Sequence, residues 1–240
     1  MKSKSFGRVL RTALATAVLF GAQFASAADV AAGNTIKLTD GYPGTQGPFL
    51  GTVLTGAAAG NTFASFCLEI NNSFNYGQTL LVGGVTDHTV SNIAAAGPSQ
   101  NGDVLSSATA WLFTQFYNNA LSGYSATSTN NNALQNSIWA LENEISAGGL
   151  TGSAKTWYNA AIAATTGPNA TWSGLGNVKV LNLFGQKQDR YGHYYGAFDQ
   201  HAQDQIYMVS SVPEPGTYAM MLAGLGLMGT IARRRKNKTA

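Results

Sequence analysis

The chain has 240 residues, 45% of them hydrophobic and only 10% charged, with 28 glycines and one cysteine. Soluble domains usually carry about 25% charged residues, so neither a charge-driven disordered chain nor an ordinary cytosolic enzyme fits. The formal charge of +3 divides unevenly: between residues 12 and 232 stand five basic residues, Lys37, Lys155, Lys179, Lys187 and Arg190, against all 11 acids, a body near −6. Nucleic-acid binding, which needs a basic folded surface, is excluded for that body.

The first segment carries Lys2, Lys4, Arg8 and Arg11, then an apolar run from Ala13 to Phe24, then Ala25-Ser26-Ala27. Small residues at the last and third-last positions suit a signal peptidase, so residues 1–27 read as a signal peptide cleaved after Ala27. The mature chain is then exported, and residues 28–211 form a β-rich extracellular domain.

Within that body, Thr35 to Leu38, Phe49 to Leu54, Phe63 to Ile70, Thr79 to Val85, Val178 to Phe184 and Gln205 to Ser210 read as strands. They are short, β-branched or aromatic, and bounded by Gly, Asn or Pro. Helices are expected from Ser106 to Asn119, from Asn131 to Ile145 and from Ser153 to Ala164. The second carries Leu134, Ile138, Leu141 and Ile145 as one apolar stripe, with Asn130-Asn131-Asn132 offering N-caps and Gly148-Gly149 ending it. The expected fold class is α+β: a β-rich sandwich or barrel-like domain with two or three inserted helices, plus a C-terminal transmembrane helix.

Cys67 lies on a predicted strand in Ser65-Phe66-Cys67-Leu68-Glu69-Ile70. A lone cysteine in an exported protein cannot close an internal disulfide, which leaves a buried small hydrophobe, an intermolecular disulfide or a reactive sulfur. Phe66-Cys67-Leu68-Glu69, followed by Leu134-Gln135-Asn136-Ser137-Ile138-Trp139 and preceded on the earlier helix by Ala110-Trp111-Leu112, resembles the paired signature of bacterial thioester-domain surface adhesins over about residues 49–146. The resemblance implies a crosslink between Cys67 and Gln135. Ser137, where that family usually has an apolar residue, departs from it. In chemical terms the thiol displaces ammonia from the carboxamide, and the resulting acyl group is then open to an incoming amine. Gln135 falls in the first turn of its expected helix, where free N–H groups can polarise a carbonyl. Against this stands an ordinary amphipathic helix with Gln135 as a solvated or capping side chain and Ile138 and Trp139 as core.

Other groups carry weaker signals. Asp87-His88 and His193, Asp199, His201 and Asp204 match no ligand spacing and read as surface polar groups near strand ends, with no metal and no cofactor expected. Glu142 and Glu144, two positions apart on a helix, point about 200° apart and read as a solvated face rather than a glycosidase pair. Tyr191, Tyr194, Tyr195 and Phe198, with Trp157 and Trp172, read first as sheet core and second as a sugar-stacking surface. No serine elbow, H-E-x-x-H or P-loop is present, so no enzymatic activity is expected.

At the end of the chain, Val212-Pro213-Glu214-Pro215 precedes an apolar run from Thr217 to Ala232 and the cluster Arg233-Arg234-Arg235-Lys236. The prolines open a helix of about 24 Å, a little short of a bilayer core, which snorkelling arginines help to span. The cluster stays on the cytoplasmic side. Gly224-Leu225-Gly226-Leu227-Met228-Gly229 spells G-x-G-x-x-G inside this apolar helix, where small residues for close packing in lipid are the better account. This order of parts resembles the PEP-CTERM sorting signal, with Ala202-Gln203-Asp204-Gln205-Ile206 as its usual lead-in. The resemblance implies an exosortase-type sorting protease as partner, the cytoplasmic membrane before processing, removal of the tail, and delivery to the cell surface or extracellular matrix of a Gram-negative bacterium. The expected function is attachment, covalent through Cys67 and Gln135 to an amine-bearing surface. The alternative is a structural or polysaccharide-associated matrix protein with an inert Cys67.

Overall fold

The computed structural model describes residues 29–41, 44–90 and 102–210, with Leu225 and Met228 in isolation. The expected signal peptide (1–27), the sorting motif residues Val212–Pro215, the expected basic anchor Arg233–Lys236 and the expected membrane span 217–232 lie outside the described residues. Among those described, no helix is long and apolar enough to cross a membrane.

Seven strands and three α-helices follow in the order β1 (Thr35–Asp40), β2 (Phe49–Val53), β3 (Thr62–Ser65), β4 (Thr79–Thr86), α1 (Ser107–Tyr117), α2 (Ser128–Leu141), α3 (Gly152–Thr165), β5 (Val178–Gln188), β6 (Tyr194–His201) and β7 (Gln205–Met208). The helices are thus inserted between two strands of one antiparallel sheet, as the α+β reading expects. The sheet runs β3-β2-β1-β4-β5-β6, and β7 also pairs with β5. β6 lies along the later half of β5, with Phe184 opposite His201, and β7 along the earlier half, with Leu181 opposite Gln205. Ala202 to Asp204 form the step between them.

The sheet then closes on itself. Beyond β3 the chain stays extended: Phe66 O accepts the N–H of Ile206 at 3.0 Å and Leu68 N–H donates to Asp204 O at 3.2 Å, framing a bridge between Cys67 and Gln205. This short seam joins β3 to β7, which resolves the sandwich-or-barrel alternative in favour of a barrel-like sheet.

Alternation along the seam divides the core in two. Phe66, Leu68, Val178, Val180 and Ile206 face the helices and pack with Leu112, Phe113, Leu134, Ile138, Leu141 and Trp157. Cys67, Leu181, Leu183 and Tyr207 face the barrel interior with Ile36, Leu38, Leu80 and Val82, and Trp139 of α2 joins them. Trp157 is therefore helix core, its indole N–H donating to Ser122 O at 2.9 Å. Tyr191 and Tyr195 are exposed.

Two helix boundaries differ from expectation. α2 is capped by Thr127, whose Oγ1 accepts the N–H of Asn130 at 3.3 Å, so Gln135 sits mid-helix and not in the first turn. The helix ends at Leu141, and Asn143 takes a left-handed φ of 62°. Glu142 and Glu144 consequently leave the helix and turn inward, correcting their reading as a solvated face. Glu142 Oε1 accepts the N–H of Ser106 at 3.2 Å, ahead of α1, and Glu144 Oε2 accepts that of Ile70 at 3.0 Å.

Phe66 is fully buried between α1 and the seam, its ring edge-on to Phe116 at 5.1 Å and to Phe113 at 6.4 Å. Truncation there opens a large cavity at the barrel–helix boundary. Phe66→Ala is expected to cost about 3–5 kcal/mol in denaturant-induced unfolding.

Candidate functional site

The site is built where the seam runs out of strand partners. β2 begins at Phe49, which pairs with Ser65, the last residue of β3. Past that point the outer edge of the chain has no neighbouring strand, yet Cys67 is buried and its backbone groups need partners. The side chain of Gln135 supplies both. Its Oε1 accepts the Cys67 N–H at 3.0 Å and its Nε2 donates to Cys67 O at 2.8 Å, so one carboxamide stands in for a strand residue. Gly47 keeps the space open with φ at 147°, since a Cβ there would meet the Phe66 ring at 2.6 Å and Gln135 Oε1 at 3.4 Å.

The structure thus brings Cys67 and Gln135 together, in contact through the backbone of Cys67. The thiol itself faces two other carboxamides. Cys67 Sγ–H donates to Gln203 Oε1 at 2.6 Å, and Gln205 Nε2 donates to Sγ at 3.3 Å. Each glutamine is oriented by its remaining atom: Gln203 Nε2 donates to Glu69 O, and Gln205 Oε1 accepts from Ser65 Oγ at 3.0 Å. Burial pushes the Cys67 thiol pKa well up, opposed in part by the hydrogen bond from Gln205, so the sulfur is held as a thiol.

Beside the thiol lies a pocket of about 230 Å³ lined by Thr45, Gln46, Phe49, Cys67, Ile70, Tyr76, Trp139 and Gln203. Trp139, one turn after Gln135 on the same helical face, is buried, and its indole N–H has no hydrogen-bond partner.

Behind Gln203 sits a carboxylate hub. Asp204 is fully buried, correcting its reading as a surface group, and both its oxygens are saturated. Oδ1 accepts from Leu183 N at 3.0 Å and lies 3.2 Å from His201 Nε2; Oδ2 accepts from Val90 N at 2.7 Å and Asn182 Nδ2 at 3.1 Å. Four donors on one carboxylate tie β5, the segment after β4 and the step before β7 together. His201 is partly buried against it, while Asp87 with His88, and His193 with Asp189, form exposed pairs. Glu69, His201 and Asp204 bring ligand-type atoms within 4.8 Å of one another. Asp204 has spent its lone pairs on protein donors, so this trio reads as an acid–imidazole network.

Sequence reasoning found Cys67 and Gln135 but missed Gln203, Gln205, Glu69, Asp204 and Trp139 as members of one site. The available signal was the run Gln203-Asp204-Gln205: three polar residues in succession beside a strand whose neighbours Ala202 and Ile206 are buried.

Comparison with known proteins adds one finding. Residues 211–236 match the PEP-CTERM protein-sorting motif. The chain is accordingly an exported protein, sorted by exosortase at the membrane and delivered to the cell surface. No curated protein and no solved structure matches it.

Two measurements test the site's energetics. Gln135→Leu keeps most of the side-chain volume but orphans the N–H and C=O of Cys67, and is expected to lose roughly 1–3 kcal/mol per orphaned group in chemical unfolding. The second concerns pH. Burial, with Asp204 nearby, raises the Glu69 pKa from 4.5 to about 7, and burial raises those of Glu142 and Glu144; the hydrogen bond to Asp204 raises that of His201. In each case the native state binds the proton more tightly than the unfolded chain, so stability is greatest at low pH and falls as pH rises. For Glu69 the loss runs from about 4.5 to about 7. Melting temperature is expected to decline from pH 5 to pH 8, with a shallower decline in Glu69→Gln.

Proposed function

We propose that the protein is a surface attachment protein that bonds covalently to amines through an internal thioester on Cys67. One observation carries the reading: a lone, buried thiol enclosed by the carboxamides of Gln135, Gln203 and Gln205, beside a pocket that reaches it. Gln135 is the partner that resemblance to thioester-domain adhesins implies, and it meets Cys67 directly through the backbone. A thioester needs shielding from water, which the buried barrel-side cluster that holds Cys67, with Phe49, Phe63, Trp139 and Tyr207, supplies. It also needs a way in for the amine, which the pocket supplies. Such a group reacts once per molecule and does not turn over, so the protein is not an enzyme. The acidic body favours an amine-bearing surface as target, and the sorting motif supports a position at the cell surface, which on this reading is that of a Gram-negative bacterium.

A second reading has its own support. The same burial that shields the sulfur raises its pKa, as expected for an inert cysteine in a structural or polysaccharide-associated matrix protein. The exposed Tyr191 and Tyr195 on and beside β6 would then be the surface that meets sugar rings.

Intact mass separates the two. The thioester reading expects mature protein lighter than calculated by one ammonia, gain of one methylamine on incubation with that amine, and neither change in Cys67→Ala. Full calculated mass with no methylamine uptake overturns it in favour of the matrix reading.

A further inference from the structure

The geometry points to Gln203, rather than Gln135, as the residue whose side chain is acylated onto Cys67. The inference rests on the thioester reading above and assigns the partner within it. Three carboxamides surround Cys67, and each has its atoms committed differently. Gln135 spends both its oxygen and its nitrogen on the backbone of Cys67, where they replace a missing strand. Conversion to a thioester removes one amide donor at either residue, from Cys67 O at Gln135 and from Glu69 O at Gln203, so the distinction lies in where the carbonyls point. Gln205 turns its nitrogen to the sulfur at 3.3 Å and its oxygen to Ser65. Gln203 alone presents its carbonyl to the thiol, with Oε1 at 2.6 Å from Sγ. A carbonyl bond of about 1.23 Å then places the Gln203 Cδ no more than about 3.8 Å from the sulfur, close to the 3–3.5 Å of a near-attack arrangement.

The bonds balance without any further reactant. Sγ forms a bond to Cδ of Gln203, the Cδ–Nε2 bond breaks, and the thiol proton leaves with that nitrogen as ammonia. When an amine enters, its nitrogen bonds to Cδ, the S–C bond breaks, and the amine proton returns to Sγ. The surrounding groups fit these steps. Gln205 Nε2 donates to the sulfur and stabilises the negative charge it gathers as it leaves. Cys67 and Gln203 both line the 230 Å³ pocket, so the acyl bond forms at its wall. Trp139 lines the same pocket beside the thiol. Gln135 becomes a positioning residue that fixes the Cys67 backbone while the acyl bond forms on the other side.

Peptide mapping after methylamine treatment tests the assignment on the mature, unmodified chain, with no variant whose folding is in question. Tandem mass spectrometry is expected to find the N-methylamide on Gln203, with the mark absent in untreated protein. The mark on Gln135 or Gln205 overturns this assignment and leaves the thioester reading standing. No mark on any of the three, with full intact mass, overturns both.

Discussion

A sheet that closes through only a few backbone hydrogen bonds must find other ways to satisfy the polar groups it buries. That constraint organises this protein. Where β3 meets β7, two backbone hydrogen bonds span the joint, those between Phe66 and Ile206 and between Leu68 and Asp204. Side chains meet further donors and acceptors there: Gln135 on the Cys67 backbone, Gln205 on the Ser65 hydroxyl, Gln203 on Glu69 O and Asp204 on the Leu183 and Val90 N–H groups. Buried polar residues are costly unless paired, and here they pair with one another's backbones across long sequence separations. The carboxamides crowd around the only thiol because the barrel needs them at its joint.

The same joint decides what the helices do. α2 is held by its apolar stripe of Leu134, Ile138 and Leu141 against α1, α3 and the outer face of the seam. Its other face carries Gln135 and Trp139, four residues apart, into the barrel. One helix thus seals the core, completes the hydrogen bonding of the seam and furnishes a pocket wall. Glu142 and Glu144, just past its end, hold the chain before α1 and the segment after Cys67.

Much of the fold was legible because its strands alternate or run apolar in the way a buried sheet demands: Ile36 and Leu38, Leu80 and Val82, and Val178 to Leu183 all declared themselves. β6 did not. Tyr194–His201 buries neither face fully and holds its place through pairing with β5, which leaves no periodic trace. The start of α2 was misplaced because three consecutive asparagines are each chemically able to cap a helix, and the competing cap, Thr127, stands just ahead of them. Of the site, Cys67 announced itself by being alone and Gln135 by its place before Ile138-Trp139. Gln203 stands 136 residues from Cys67, and only the closed sheet reveals that they meet.

The seam also has a mechanical meaning. β7 ends at Met208, and the sorting motif begins at residue 211, so the strand that follows Gln203 leads within three residues into the segment by which the protein is handled at the membrane. Were a target bonded at Gln203 and the chain held beyond residue 211, tension would enter and leave within the same stretch of chain. It would run along β7 rather than through the barrel. The rest of the domain would carry almost none of the load, and its marginal stability would not limit the strength of the attachment.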